Sequence, residues 1–260
     1  MQRMTRVGLL AIALVLALPH ALAQTREVPR PRGERPPFEA AVNALGMERG
    51  VRREQTAINT IFFVAKGSID SDGSSRKVDR AVLSMSYFIP AIRTDITWRG
   101  GGKTAREVKV ASGAVAWNET EPGMGATATT ESAAQRLRQV WLTPHGAMRA
   151  LVEIRAKNKD AVTMAQADGR TTFAGQFNGA PLEVAVDAEQ RPQRVRWTLD
   201  GKVHEAEFSG YKDWELLDVF FPQHIVQRID GHVVADLTVT DFRSNPYVVF
   251  PVPAALRGGT

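Results

Sequence analysis

His145, His204, His224 and His232 are the histidines beyond residue 23, and imidazole is the ordinary side chain that titrates near neutral pH. A proton-shuttling or metal-binding site would draw on them first. None lies in a His-Glu-x-x-His pattern, and no two share ligand spacing on one helix. Each stands beside strand or turn sequence, where a structural or surface role is expected; His145 and His224 are the pair to examine if the chain were a hydrolase. There is no cysteine, so thiolate catalysis, disulfides and zinc-thiolate sites are excluded. No Gly-x-Ser-x-Gly elbow presents a serine nucleophile. Asp213 and Glu215 share one face of a strand, an arrangement also common on solvated faces.

Three short motifs resolve into turns. Gly100–Thr104, GGGKT, ends like a phosphate-binding loop, but Thr97 stands where the first glycine is required and the strand-like AREVKV follows instead of a helix. Asp70-Ser71-Asp72-Gly73 begins like a calcium loop, yet its glycine comes too early and Ala81 occupies the position of the bidentate acid. Asn118-Glu119-Thr120 is a glycosylation triplet, meaningful only in a eukaryotic secretory pathway. The chain offers no assembled set of nucleophile, base and orienting group, so the expectation is a non-catalytic protein without metal or organic cofactor.

Apolar surface is abundant instead. Ile61–Val64, the cluster Met85, Tyr87, Phe88 and Ile89, and Val219–Phe221 do not alternate with polar residues as a half-buried strand does. Both faces of such strands meet apolar surroundings. The inner face of a curled sheet either lines a ligand cavity or packs against helices, and the pattern alone leaves both open.

The elements that carry these residues are mostly strands. Phe38–Met47 has helical apolar spacing after a proline pair, and Thr130 to about Ile154 forms a second helical stretch that Pro144 must break in two. Thr60–Ile69, Ala81–Trp98 (one bent strand or a pair meeting at Pro90), Arg106–Val110, Ala114–Trp117 and the alternating Leu182, Val184, Val186 and Val195, Trp197, Leu199 are strand sequence. Asp200–Lys202 and Asp230-Gly231 are hairpin tips, the second followed by Val233, Ala235, Leu237 and Val239 on one face. Meandering pairs of this number build a large antiparallel sheet that curls, with short helices to cover its concave side.

Residues 1–23 read as a cleaved export signal: Arg3 and Arg6, the apolar run Val7–Leu18, then Ala21-Leu22-Ala23. Without Arg3 and Arg6 the chain keeps 31 basic residues against 28 acidic, a net charge of +3. Residues 24–37 hold Arg26, Arg30, Arg32 and Arg35 among prolines, the composition of an extended linker. Residues 38–260 form one domain. A periplasmic location with no lipid anchor is expected, and nucleic acid is not a partner there.

VRWTLDG, EAEFSGYKDW, VFFPQHIVQRIDG and VVADLTVTDFRSN together resemble the closing antiparallel strands of the LolA-like superfamily of bacterial lipoprotein carriers and sorting proteins. The resemblance implies a mainly β (α+β) fold, a curved antiparallel sheet forming an incomplete β-barrel with short helices over its open side. It further implies a hydrophobic cavity for lipid or lipoprotein acyl chains, with a membrane surface or envelope protein as a further partner. Phe62, Phe88, Trp98, Trp117, Trp141 and Phe220 are the expected cavity-wall residues. The alternative is a regulatory or sensor module of the same fold that binds a protein partner. The longer middle section, Glu119–Ile154, departs from typical carriers, and no residue matches their functional arginine.

Overall fold

The computed structural model describes residues 35–48, 57–71, 73–100, 103–167 and 169–257. The expected leader, most of the Arg/Pro linker, Asp72 of the calcium-like loop and Gly101-Gly102 of GGGKT lie outside the described residues. From Pro37–Ala44 (α1) the chain enters strands β1 (Thr60–Ser71), β2 (Ser74–Ser86), β3 (Ala91–Gly100), β4 (Lys103–Ser112), β5 (Val115–Glu119) and the short β6 (Thr127–Ala128). Two helices follow, α2 (Ala133–Trp141) and α3 (Pro144–Lys157). The chain returns as β7 (Thr163–Ala167), β8 (Arg170–Phe177), β9 (Ala180–Val186), β10 (Pro192–Leu199), β11 (Lys202–Asp213), β12 (Phe220–Ile229) and β13 (His232–Ser244).

The thirteen strands among the described residues join one antiparallel sheet, in which neighbours are consecutive in sequence except where β1 pairs with β13. The chain thus builds one flank outward to β6, crosses by α2 and α3 to the far edge, and meanders back to close on its first strand. β6 and β7 end the sheet, which is a curved, unclosed half-barrel. Register shifts between Ala65 and Gly67, Val78 and Arg80, and Gln227 and Arg228 supply the curvature, because each bulge adds local twist. At Gly67 the backbone has φ 151°, and a Cβ would lie 2.0 Å from the Asp236 carbonyl oxygen, so only glycine permits the close approach of β1 to β13.

Local chemistry sets the boundaries. The Asp200-Gly201 and Asp230-Gly231 hairpin tips have positive φ at both residues (50° and 73°, 49° and 82°), the twist a two-residue turn needs. Ser132 and Gln135 form a reciprocal capping box at the start of α2. Thr143 caps α3, and Pro144 takes its first position, where no backbone N–H is needed. The corner between these helices is tight: a Cβ on Gly146 would sit 2.0 Å from the Val140 carbonyl oxygen. Among the described residues, no helix is long and apolar enough to cross a membrane.

The apolar side chains divide between two cores on opposite faces of the sheet. The larger lies between the concave face and the helices. The smaller, on the convex face of β3–β5, contains Val108, Val110 and Trp117, and is covered by Phe250, Val252 and Leu256 of the C-terminal segment. Arg93 anchors that segment: it grips Glu119 with two nitrogens (2.9 and 3.2 Å), donates to the Val249 carbonyl, and lies 5.5 Å from the Phe250 ring centroid. Truncating half-buried Phe250 to alanine is expected to cost about 1–2 kcal/mol, part of the full Phe→Ala penalty. Urea unfolding measures the loss, and a red-shifted Trp117 emission would locate it.

β12 is an interior strand, so Pro222 does not mark an edge. It pairs with Tyr211, next to Gly210 (φ 65°), in a register that runs unbroken along β11 and β12. Val233, expected on the same face as Ala235 and Leu237, is exposed because the shift at Gln227/Arg228 breaks the alternation.

Candidate functional site

The interior of the half-barrel is a line of aromatic rings. The helices approach the flanks most closely, α2 over β3–β5 and α3 over β8–β10. Between them, Trp197 packs on Phe177 (centroids 5.7 Å apart), Phe177 on Trp141 (4.8 Å), and Trp141 on Tyr87 (6.5 Å). The Tyr87 hydroxyl meets Thr143 Oγ1 at 2.8 Å, and two residues beyond Thr143 stands His145. Its ring stacks over Phe221 and Phe242 at 5.9 and 6.1 Å; those two stack on each other at 4.3 Å, and Phe63 leans on Phe221 at 5.2 Å.

Among the described residues, two polar atoms in this apolar interior have no hydrogen-bond partner, His145 Nδ1 and Trp197 Nε1. His145 Nε2 lies 3.2 Å from the Leu45 carbonyl and donates to it, which leaves Nδ1 as a bare acceptor. Trp197 Nε1 is a bare donor. Each costs about 1–3 kcal/mol of desolvation that no bond returns. Burial pulls the His145 imidazole down to about 4, so it is neutral at physiological pH. Beside Trp197 on β11, His204 accepts from Arg138 of α2 at 3.1 Å; burial, then the adjacent guanidinium, lowers its pKa also.

Arg136 of α2 is a buried charge of a different kind. Its guanidinium donates to the carbonyls of Val110 and Trp117, to Asn118 and Thr129, and pairs with Glu131 at 3.0 Å. Fully partnered, it fastens α2 to the edge of the sheet. A shallow depression on the convex face is lined by Arg170, Arg194, Glu207 and His224. Across it Glu207 pairs with Arg228 at 2.6 Å and His224 hydrogen-bonds Asp236 at 2.7 Å, polar cross-strand contacts on the outer face. Asp213 accepts from the Leu217 and Asp218 N–H groups and Glu215 from Ser244, so these two carboxylates brace a loop.

The six expected wall residues do not surround one space. Trp141 belongs to the aromatic line, and Trp98 to the same core farther along β3. Trp117 is in the convex-face core under the C-terminal segment. Phe62 and Phe220 are half-buried neighbours of inward-facing Phe63 and Phe221, and side-chain alternation puts them on the convex face; Phe220 lies against Arg191 at 4.2 Å. Phe88 is exposed on the β2–β3 turn. Sequence reading missed Phe63, Tyr87, Phe177, Trp197, Phe221, Phe242 and His145 as interior groups. The alternation Val195, Trp197, Leu199 was the one available signal, since it puts Trp197 on an apolar strand face.

The geometry is that of a concave antiparallel sheet covered by helices, with an aromatic interior between them. The chain is similar in fold to the crystal structure of a LolA superfamily protein from Nitrosomonas europaea, with 9% identity and a TM-score of 0.45, covering 81% of this chain and 94% of that one. It is likewise similar to that of an outer membrane lipoprotein-sorting protein domain from Vibrio parahaemolyticus, with 11% identity and a TM-score of 0.45, covering 82% and 93%. No protein-family model and no curated protein matches the sequence.

Proposed function

We propose that the chain is an exported, non-catalytic periplasmic protein that carries a hydrophobic ligand, a lipid or the acyl chains of a lipoprotein, between its concave sheet and its helices. The observation that carries this reading is the pair of unpartnered polar atoms, His145 Nδ1 and Trp197 Nε1, in an otherwise apolar aromatic interior. A guest with an alkyl body and a few polar atoms satisfies both while burying its chain, worth about 0.8 kcal/mol per methylene.

Side chains fill this interior, so the guest must displace part of the cover. α1 is the cheapest element to move. It has eight residues, too few to be stable alone, and is held by Phe38, Ala41, Val42 and Leu45, the Arg155–Glu39 ion pair (2.9 Å) and the His145–Leu45 bond.

Native mass spectrometry of the purified protein, followed by solvent extraction, tests the reading. Bound lipid is expected, with its amount reduced by Trp197→Phe and unchanged by Phe220→Asp on the convex face. Protein free of lipid would sink the carrier reading. It would favour the second one, a module that binds a protein partner, which the aromatic filling of the interior supports.

A further inference from the structure

Among the described residues, most of the exposed large apolar side chains crowd one end of the half-barrel. They are Phe88 and Ile89 on the β2–β3 turn, Leu216 and Leu217 on the β11–β12 loop, and Tyr247 and Val249 after β13. Their exposure is extreme for such residues: 72% for Phe88, 89% for Leu216 and 92% for Tyr247. The antiparallel order brings the three segments to the same end, and polar bonds tie them together. Tyr87 N–H donates to the Asn59 carbonyl, the Asn245 amide bonds Ala57 and Asn59, and Ser244 donates to Glu215 at 2.6 Å. Leu216 is in the left-handed region at φ 56°, a conformation costly for leucine, and its side chain gains no packing in return.

We propose that this rim docks the protein on the surface of an anionic lipid bilayer, the six apolar tips entering the boundary between headgroups and acyl chains. A flat protein interface would present a contiguous patch. Here apolar tips stand out singly or in pairs on three braced loops, with polar groups directly behind them, the form of an interfacial anchor. Lys212 and Arg243 are exposed on the strands just behind the rim, where headgroup phosphates would lie. The Arg-rich sequence Thr25–Glu34 runs directly into Arg35, which pairs with Glu48. Gly46, two residues before Glu48, packs on Asp218 and Val219 of the rim loop. Arg35, Lys212 and Arg243 thus stand toward this end, and each Lys or Arg near an anionic surface adds favourable energy. The proposal is independent of the interior site.

Flotation with phosphatidylglycerol-containing vesicles tests it, using residues 24–260 so that the apolar run Val7–Leu18 does not itself partition. The protein is expected to float, and Phe88→Ser/Leu216→Ser/Leu217→Ser to weaken partitioning by about tenfold or more, since three apolar insertions are lost. Circular dichroism and Tm should be unchanged, and Met164→Ser/Val233→Ser, away from the rim, should bind as before. No flotation, full binding by the triple variant, or equal loss in the control pair would overturn the proposal. Should the triple variant fold poorly, Tyr247→Trp provides an independent reading: quenching of its emission by shallowly brominated lipids is expected, and its absence refutes insertion. Binding retained by both serine variants but abolished by salt would mean attraction by charge alone, and would overturn insertion as well.

Discussion

Phe221→Ala is expected to lower the unfolding free energy by about 3–5 kcal/mol, the range for deleting a fully buried aromatic ring. Phe221 is entirely buried and touches Phe242, Phe63 and the His145 ring, so its loss opens a cavity that three rigid neighbours cannot fill. The adjacent Phe220→Ala should cost only about 1 kcal/mol, because that ring is half-buried against Arg191 on the other face. For a domain of this size the Phe221 variant should melt on the order of 10 °C lower. Urea unfolding of both variants checks the assignment of faces, and equal losses would refute it.

The second large effect is a dependence on pH. His145 is fully buried and neutral, with its folded pKa depressed from about 6.5 to about 4. Between these values the unfolded chain binds more protons than the folded one, so stability rises with pH across this window. The contribution is fully present above about pH 6.5 and is lost as the pH falls toward 4. The loss attributable to His145 is about 2 kcal/mol at pH 5 and about 3 kcal/mol below pH 4. His204, whose pKa is also lowered, adds in the same direction. His145→Gln keeps a donor for the Leu45 carbonyl and removes the titration. Denaturant unfolding from pH 7.5 to 4 should therefore show a shallower slope for the variant, and parallel curves would exclude His145. Because His145 holds the end of α1, acid should loosen that helix first, which hydrogen exchange in α1 would report.

Much of the architecture is written locally. Asp-Gly pairs at 200–201 and 230–231 adopt positive φ at low cost, so hairpin tips fall there whatever surrounds them. Pro144 cannot accept the interior of a helix, so one helical stretch becomes α2 and α3. Antiparallel strands joined by such turns and rich in apolar residues must curl and cover their concave face. That made the fold class legible, together with the expectation of an apolar interior.

Which residues meet in that interior is a different matter. In the runs Ile61–Val64 and Val219–Phe221 every residue is apolar, so period two gives no phase. Only the pairing of β1 with β13 and of β11 with β12, with the register shift next to Gly67 in β1, turns Phe63 and Phe221 inward and leaves Phe62 and Phe220 outside. Trp117 looks like any core tryptophan until the C-terminal segment, 130 residues later, is seen to cover the opposite face. The rim is likewise non-local: Phe88, Leu216 and Tyr247 come together because long antiparallel strands return their ends to one side. Sequence determined the elements and their turns through short-range sterics and bonding. Tertiary structure alone decided which faces and ends those elements share, because register and bulges depend on partners far away in the chain.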